Sequence, residues 1–298
     1  MDNENAFERQ LYSITTIIIG KYEINGKILS FSGSGFYYTE QTPAEEGKTG
    51  LQWYRLDKFW LVTNRHVILA KIDGKEYLPS SLTFGIRENV NGEVKWKSIV
   101  LTKNEVEDAL KLHEDKTVDV AVLDVSQYIS NIVKEYVEAK EKEGLFLPGS
   151  LSGKNLPDNQ PLTIDVTSDI IVASYPKGFY DTVNKFPIVK SGIVASGWGL
   201  HFNGQQMFQI DAQLFPGSSG GLVISKPTNI AFIDGAVKYS QYKQFVFLGI
   251  YSGEYTWSDK VLIDGKEMEI ERSYGLGNVW YSYLVPQIIS NGIKFEIE

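Results

Sequence analysis

An all-β fold is predicted for this chain, and three observations predict it. Short runs rich in Val, Ile, Tyr, Phe and Thr recur throughout and are separated by Gly, Asn and Asp. Apolar residues make up 43% of the 298 positions and aromatic residues 13%, which is enough to fill a sizeable core. No internal repeat or low-complexity tract interrupts the pattern. At this length, one domain of two packed barrels and two smaller domains are both compatible with the sequence.

In chain order the predicted strands are 12–19, 27–37, 51–63, 81–88, 94–102, 119–125, 169–174, 187–196, 206–212, 221–224, 229–237, 245–251 and 279–284. Glu40–Lys48, with Thr42, Pro43 and Gly47, reads as a solvent-exposed polar hairpin loop before the strand that carries His66, where it could border a substrate groove. Gln127–Glu143 is different. It sets Ile129, Ile132, Val133, Tyr136 and Val137 at helical spacing and places charges elsewhere. Turn formers follow at Gly144, Pro148, Gly149, Gly153 and Pro157. The segment 126–165 is therefore expected to be a helical insertion packed across the outside of the fold. The sharper alternative is a regulatory or partner-binding element near a cleft. After Pro286, residues 287–298 leave room for a short helix and a strand.

Charge and termini bound the function classes. Asp and Glu number 37 against 29 Lys and Arg, a net charge of −8, which argues against nucleic acid or an anionic membrane as main partner. The start, MDNENAFERQ, is acidic, and the apolar stretch after it, Ile14–Ile19, is short, so no secretory signal is visible. No run approaches the ~20 apolar residues that span a bilayer. With zero cysteines, cysteine-peptidase chemistry and thiolate metal sites are excluded. A soluble cytoplasmic bacterial protein without metal or cofactor is the expectation.

The most informative stretch is Asp211–Gly221, DAQLFPGSSGG. A serine hydroxyl is a poor nucleophile unless a base takes its proton and donors stabilise the oxyanion. Small neighbours let the N–H groups of Gly217 and Ser219 turn towards one point beside the Ser219 hydroxyl. There are three histidines. His113 lies in the charged segment LKLHEDK, expected to be exposed, and His201 lies beside glycines at a hairpin turn. His66 follows the apolar run Phe59–Val62 and precedes Val67–Ala70, a buried strand entering a turn that fixes the imidazole. Asp119 opens the apolar run 120–123, where an unpaired carboxylate is costly and an imidazole N–H is the natural partner. A turn-capping role for Asp119 is the bland alternative, and Asp124 fits a strand exit.

Chain order separates the hydrolase classes. GSSGG also satisfies the G-x-S-x-G elbow of α/β-hydrolases, but those place their histidine after the serine, and none follows Ser219. The subtilisin order needs an aspartate before His66, and Asp57 lacks a suitable strand–loop context. His66, then Asp119, then Ser219 is the chymotrypsin order, with His and Asp in one barrel and Ser in the next.

On these residues the chain resembles trypsin-like (chymotrypsin-fold) serine peptidases, and in its motifs the bacterial HtrA/Deg protease domain. The resemblance rests on Thr63-Asn64-Arg65-His66-Val67, on Asp119-Val120-Ala121-Val122-Leu123 and on Asp211–Gly221. ASYPKG at 173–178, VKSGIVA at 189–195 and FLGIYSG at 247–253 add to it. It implies two six-stranded antiparallel β-barrels, 10–125 and 166–290, joined by the 126–165 insertion, with a short C-terminal helix. It implies a catalytic triad of His66, Asp119 and Ser219 and an oxyanion hole at Gly217 and Ser219. A polypeptide substrate would add as a strand along Ile250–Gly253, and Ser252 would lie near Asp119. The PDZ domain of the HtrA group has no counterpart, so carboxylate capture by such a module is not expected.

Two departures carry information. Ser218 stands where zymogen-type relatives carry an aspartate that pairs with a cut N-terminus, so activation by N-terminal cleavage is not expected. Control would come from loop ordering, a regulatory protein partner or compartment. Gln213, followed by Leu214, Phe215 and Pro216, stands where trypsins carry the specificity aspartate. With Tyr251, Ser252 and Gly253 these residues are expected to bind substrate with an apolar or small P1 side chain. Glu254 is the residue best placed to overturn that expectation. The competing readings are a silent trypsin-fold peptide-binding module and a glutamate-specific peptidase.

Overall fold

The computed structural model describes residues 6–43, 54–90, 93–138, 149–177, 179–233, 235–263 and 266–296. The chain opens with helix α1 (Ala6–Ile14) and passes directly into β1 (Thr15–Ile24). Residues 12–14, expected in a strand, are therefore helical. Leu11 and Ile14 bury one face of that helix. Asn25 and Gly26, at φ 51 and 73, form the two-residue turn into β2 (Lys27–Pro43), pairing Ile24 with Lys27. Positive φ at both central residues matches the right-handed twist of the flanking strands.

Next come β3 (Tyr54–Thr63), α2 (Arg65–Ile68), β4 (Ala70–Ile72), β5 (Lys75–Tyr77), β6 (Ser81–Val90) and β7 (Glu93–Thr102). Helix α3 (Lys103–Ala109) starts at Thr102, whose hydroxyl caps Glu105 N–H while the Glu105 carboxylate reaches back to Thr102. Then β8 (Leu110–Leu112) and β9 (Ala121–Asp124) complete the N-terminal half. Helix α4 (Ser126–Glu138) buries Ile129 and Ile132 against that half, as a packed outer helix would. The expected continuation to 143 and its turn formers Gly144 and Pro148 lie outside the described residues, as does most of the Glu40–Lys48 loop. Glu40–Pro43 pair with Tyr54–Lys58 as strand.

The sheet order β7-β6-β1-β2-β3-β9-β8 departs from the six strands expected of this half. With 17 residues, β2 is long enough to pair β1, β3 and, in parallel, β10 (Leu151–Ser152), giving eight strands. The C-terminal half is a closed six-stranded barrel, as expected. It contains β11 (Asp169–Ser174), β12 (Ile188–Val194), β13 (Met207–Asp211), β14 (Gly221–Ser225), β17 (Phe247–Ile263) and β18 (Lys266–Tyr281). Off the barrel stands the hairpin β15 (Thr228–Ile233) and β16 (Ala236–Gln244). The single strand expected at 229–237 is broken there by Gly235 at φ 75. Helix α5 (Leu284–Asn291) begins before Pro286, which sits in the first turn, where the missing N–H costs no helical bond.

One apolar core joins the halves. Phe36, Trp60, Val62 and Val122 from the first pack with Leu222, Phe247, Ile250 and Trp280 from the second and with Leu284 and Ile288 of α5. Phe36 and Phe247 meet edge to face at 5.3 Å. Burying each such side chain contributes about 1.5–3 kcal/mol, so the halves are held in one relative position. Among the described residues no helix is long and apolar enough to cross a membrane.

Candidate active site

His66 lies in the first turn of α2, immediately after β3 and Asn64. Asp119 lies two residues before β9, which pairs with β3 in the register Thr63↔Ala121. That register brings the two residues together. Asp119 Oδ1 accepts the His66 backbone N–H at 2.9 Å, and Oδ2 accepts Nδ1–H at 2.7 Å. With Nδ1 as donor, Nε2 is left as the basic nitrogen. Burial disfavours the imidazolium, but the Asp119 hydrogen bond and charge outweigh it, so the His66 pKa is raised above the ordinary 6.5. The imidazole remains 48% exposed and the carboxylate 22%.

Ser219 sits in the turn before β14. Pro216 C=O accepts from Lys177 N–H at 2.7 Å, and Ser218 C=O accepts from Gly221 N–H at 2.9 Å. In a trans peptide the N–H opposes the C=O, so the Gly217 and Ser219 N–H groups are turned away from both contacts. Among the described residues neither has a protein acceptor, which leaves two donors for an anionic oxygen. Gly217, at φ 92, is required here. A Cβ would stand 2.5 Å from Lys177 N and 2.9 Å from Tyr175 O. The Ser219 hydroxyl donates to Ser252 C=O at 3.0 Å, and among the described residues no hydrogen bond joins it to His66.

Two residues of the N-terminal half fix the serine turn, and only one of them lies in a motif quoted from the sequence. Asn64, fully buried, donates to Asp119 C=O at 2.6 Å and accepts Gly220 N–H at 2.5 Å. It ties the backbone of Asp119 to the residue after Ser219. Ser34, on β2, donates its N–H to Ser219 C=O at 2.7 Å and its hydroxyl to Gly217 C=O at 2.9 Å, while accepting Tyr175 N–H at 2.8 Å. The only signal for it was the small-residue run Gly33-Ser34-Gly35. Beside His66, Arg65 is almost fully buried and binds Glu76 through two nitrogens at 2.9 and 2.6 Å. That bidentate pair lowers the Glu76 pKa.

The remaining predicted residues separate into those at the site and those elsewhere. Ser218 is fully buried and accepts the Ser174 hydroxyl at 3.1 Å. Leu214 is buried, while Gln213, Phe215 and Pro216 are exposed. Glu254 spans this region, accepting Leu214 N–H at 3.0 Å and the Ser273 hydroxyl at 2.6 Å. Ile250 and Tyr251 pair with Leu222 and Gly221 of β14, so the edge expected to receive substrate along Ile250–Gly253 is free only from Ser252. Ser252 meets Ser219, and among the described residues no hydrogen bond joins it to Asp119.

His113 is 7% exposed rather than exposed, because Leu112 pairs with Ile293 in both directions and draws the segment against the C-terminal chain. His201 is exposed and lies 3.2 Å from the Tyr283 hydroxyl. Asp124 binds Lys58 and Ser126, and Asp57 binds Arg55. A cleft of about 1390 Å3 opens behind α2 at Arg65 and Glu76, and none of His66, Asp119 and Ser219 lines it.

Among curated proteins nothing matches. Among solved structures the chain is similar to the active form of the Rv3671c protease from M. tuberculosis, at 15% identity and a TM-score of 0.47, covering 99% of this chain and 87% of that one. The family model of the trypsin-like peptidase domain matches residues 33–229, most of the chain, from the strand bearing Ser34 to beyond Ser219. The chain therefore belongs to the trypsin-like peptidase family and is a serine peptidase.

Proposed function

We propose that this peptidase cleaves internal peptide bonds through an acyl-enzyme on Ser219, with His66 as general base and Asp119 as its orienting carboxylate. The observation that carries the reading is the two-point grip of Asp119 on His66, which fixes both the ring and its tautomer. The Ser219 hydroxyl hydrogen leaves Ser252 C=O and turns to Nε2 as Oγ attacks the substrate carbonyl. The oxyanion so formed takes the Gly217 and Ser219 N–H groups, each worth roughly 3–4 kcal/mol. Collapse breaks the C–N bond, and the imidazolium returns its proton to the leaving amine. Water then releases the acyl group by the reverse sequence.

Zymogen cleavage has no part in this reading. The Ser174–Ser218 hydrogen bond holds the position at which an ion pair to a new N-terminus would form, and it needs no cut chain. For P1, Glu254 has a protein donor on each carboxylate oxygen, which weakens it as a counter-charge for a basic side chain, and Gln213 is neutral. An apolar or small P1 residue is the preference these features support. One observation favours a glutamate-specific second reading: Lys190 Nζ lies 4.9 Å over the Phe215 ring, a cation beside the specificity segment. Cleavage of a peptide library, read by mass spectrometry, separates the two. Products ending in Ala, Val, Leu or Phe are expected, and products ending mainly in Glu contradict the first reading.

A further inference from the structure

We propose that the part of β17 beyond the barrel, Thr256–Ile263, extends the strand addition expected at Ile250–Gly253 into a docking rail, along whose free edge a long segment of the substrate chain adds as a further strand. The proposal rests on the reading of Ser219 as nucleophile. β17 has 17 residues and is paired with β18 almost from end to end. Its other edge is paired with β14 only through Phe247–Tyr251. From Ser252 onward that edge has no ladder partner among the described residues. Its first carbonyl already holds the Ser219 hydroxyl at 3.0 Å. A chain with its scissile carbonyl at Ser219 therefore begins beside an open strand edge. At 3.3–3.4 Å per residue the edge continues for about 40 Å.

Natural strand edges of this length are usually shortened, broken by proline or covered. This one contains no proline between Ser252 and Ile263. Beyond the barrel, Thr256–Ile263 and Lys266–Ser273 form a two-stranded arm, and a ribbon of two strands is marginal without a third. The arm's faces differ. Cross-strand pairing sets Trp257, Val261, Met268 and Ile270 on one side, where Trp257, Met268 and Ile270 are 38%, 50% and 36% exposed. On that side the Arg272–Asp259 ion pair, at 3.1 Å, neutralises the charges between them. The other side carries Glu267, Glu269 and Glu271 against a single lysine, Lys260, with the exposed Leu262 opposite Glu267. An added strand sends alternate side chains to the two faces. The substrate segment the arm fits is extended and β-prone, apolar at every second position, and neutral or basic at the positions between.

Binding to the Ser219→Ala protein tests the rail apart from cleavage. Two labelled peptides share a core cleaved in the library and carry a ten-residue extension (~33 Å of strand) of alternating Val and Lys, or the same extension with every Val replaced by Pro. Proline cannot donate to a ladder. Both orientations, with the extension before or after the core, are measured by fluorescence anisotropy. The Val–Lys extension is expected to bind at least about tenfold more tightly than its proline counterpart in one orientation. That advantage is expected to vanish when Trp257–Arg272 is replaced by a two-residue turn, and to shrink in the double variant Trp257→Lys, Val261→Lys, which keeps the arm. Equal binding of the two peptides in both orientations, or an advantage unchanged in both arm variants, overturns the rail. A binding advantage in Ser219→Ala protein that still cleaves the peptides at the wild-type rate contradicts the nucleophile reading and leaves the rail standing.

Discussion

Ser219→Ala is expected to lower kcat/KM for peptide cleavage by about 10^6-fold. The substitution removes the attacking oxygen but leaves the backbone N–H groups of Gly217 and Ser219 where they are. Residual catalysis of about 10^3-fold over water is therefore expected, from the oxyanion donors and substrate binding alone. The fold should not change. Among the described residues the hydroxyl makes one hydrogen bond, to Ser252 C=O, while the turn is held by backbone groups through Ser34 and Asn64. Steady-state kinetics on a library-derived peptide, with denaturant unfolding of both proteins, checks the pair of outcomes. Equal activity of variant and wild type, or a large loss of stability, would count against the assignment.

Asp119→Asn is expected to lower kcat by about 10^4-fold. The carboxylate uses both oxygens on His66, one for the backbone N–H and one for Nδ1–H. An amide has one oxygen, so whichever contact it keeps, its NH2 confronts the other. If the NH2 faces the ring, Nδ1 must accept, and the proton moves to Nε2, where it blocks removal of the Ser219 proton. The pH dependence gives a second readout. His66 works as a base only when neutral, so activity is lost as pH falls through its pKa, which Asp119 raises above 6.5. The acid limb of kcat/KM for the wild type is expected above pH 6.5, and that of Asp119→Asn below the wild-type position. The same shift has a stability consequence of opposite sense. The charged pair's contribution is fully present below the unfolded His66 pKa and is lost as pH rises through the folded one. A wild-type limb at or below 6.5, or an unmoved limb in the variant, contradicts the pairing.

The candidate triad was legible because each of its three residues sits beside an apolar run. Phe59–Val62 delivers His66, Val120–Leu123 follows Asp119, and Leu222–Ile224 follows the glycine turn of Ser219. Strands buried on one or both faces write their ends into the sequence. Ser34 was harder to see, since a serine between two glycines in a strand has no pattern that tells a clamp from a packing gap. The arm was invisible for a different reason. Only the last residues of β18 were expected as strand, because the described side chains between 255 and 274 include no buried one to impose an apolar period, and the charges at Asp259, Lys260, Glu267, Glu269 and Glu271 lack the alternation of a half-buried strand. The start of the chain failed the other way. Ile17–Ile19 extended a β-like pattern backwards over Tyr12 and Ile14, whereas burial of Leu11 and Ile14 winds that segment into a helix.

Covalent labelling with a fluorophosphonate, followed by mapping of the adduct by mass spectrometry, tests the central claim most directly, because it reports the activated hydroxyl without needing a substrate. A single adduct on Ser219 is predicted for the wild type, with labelling lost in Ser219→Ala and strongly slowed in His66→Ala. An unlabelled wild type, or an adduct on another residue, would contradict the account and point to a trypsin fold that binds peptides without cutting them.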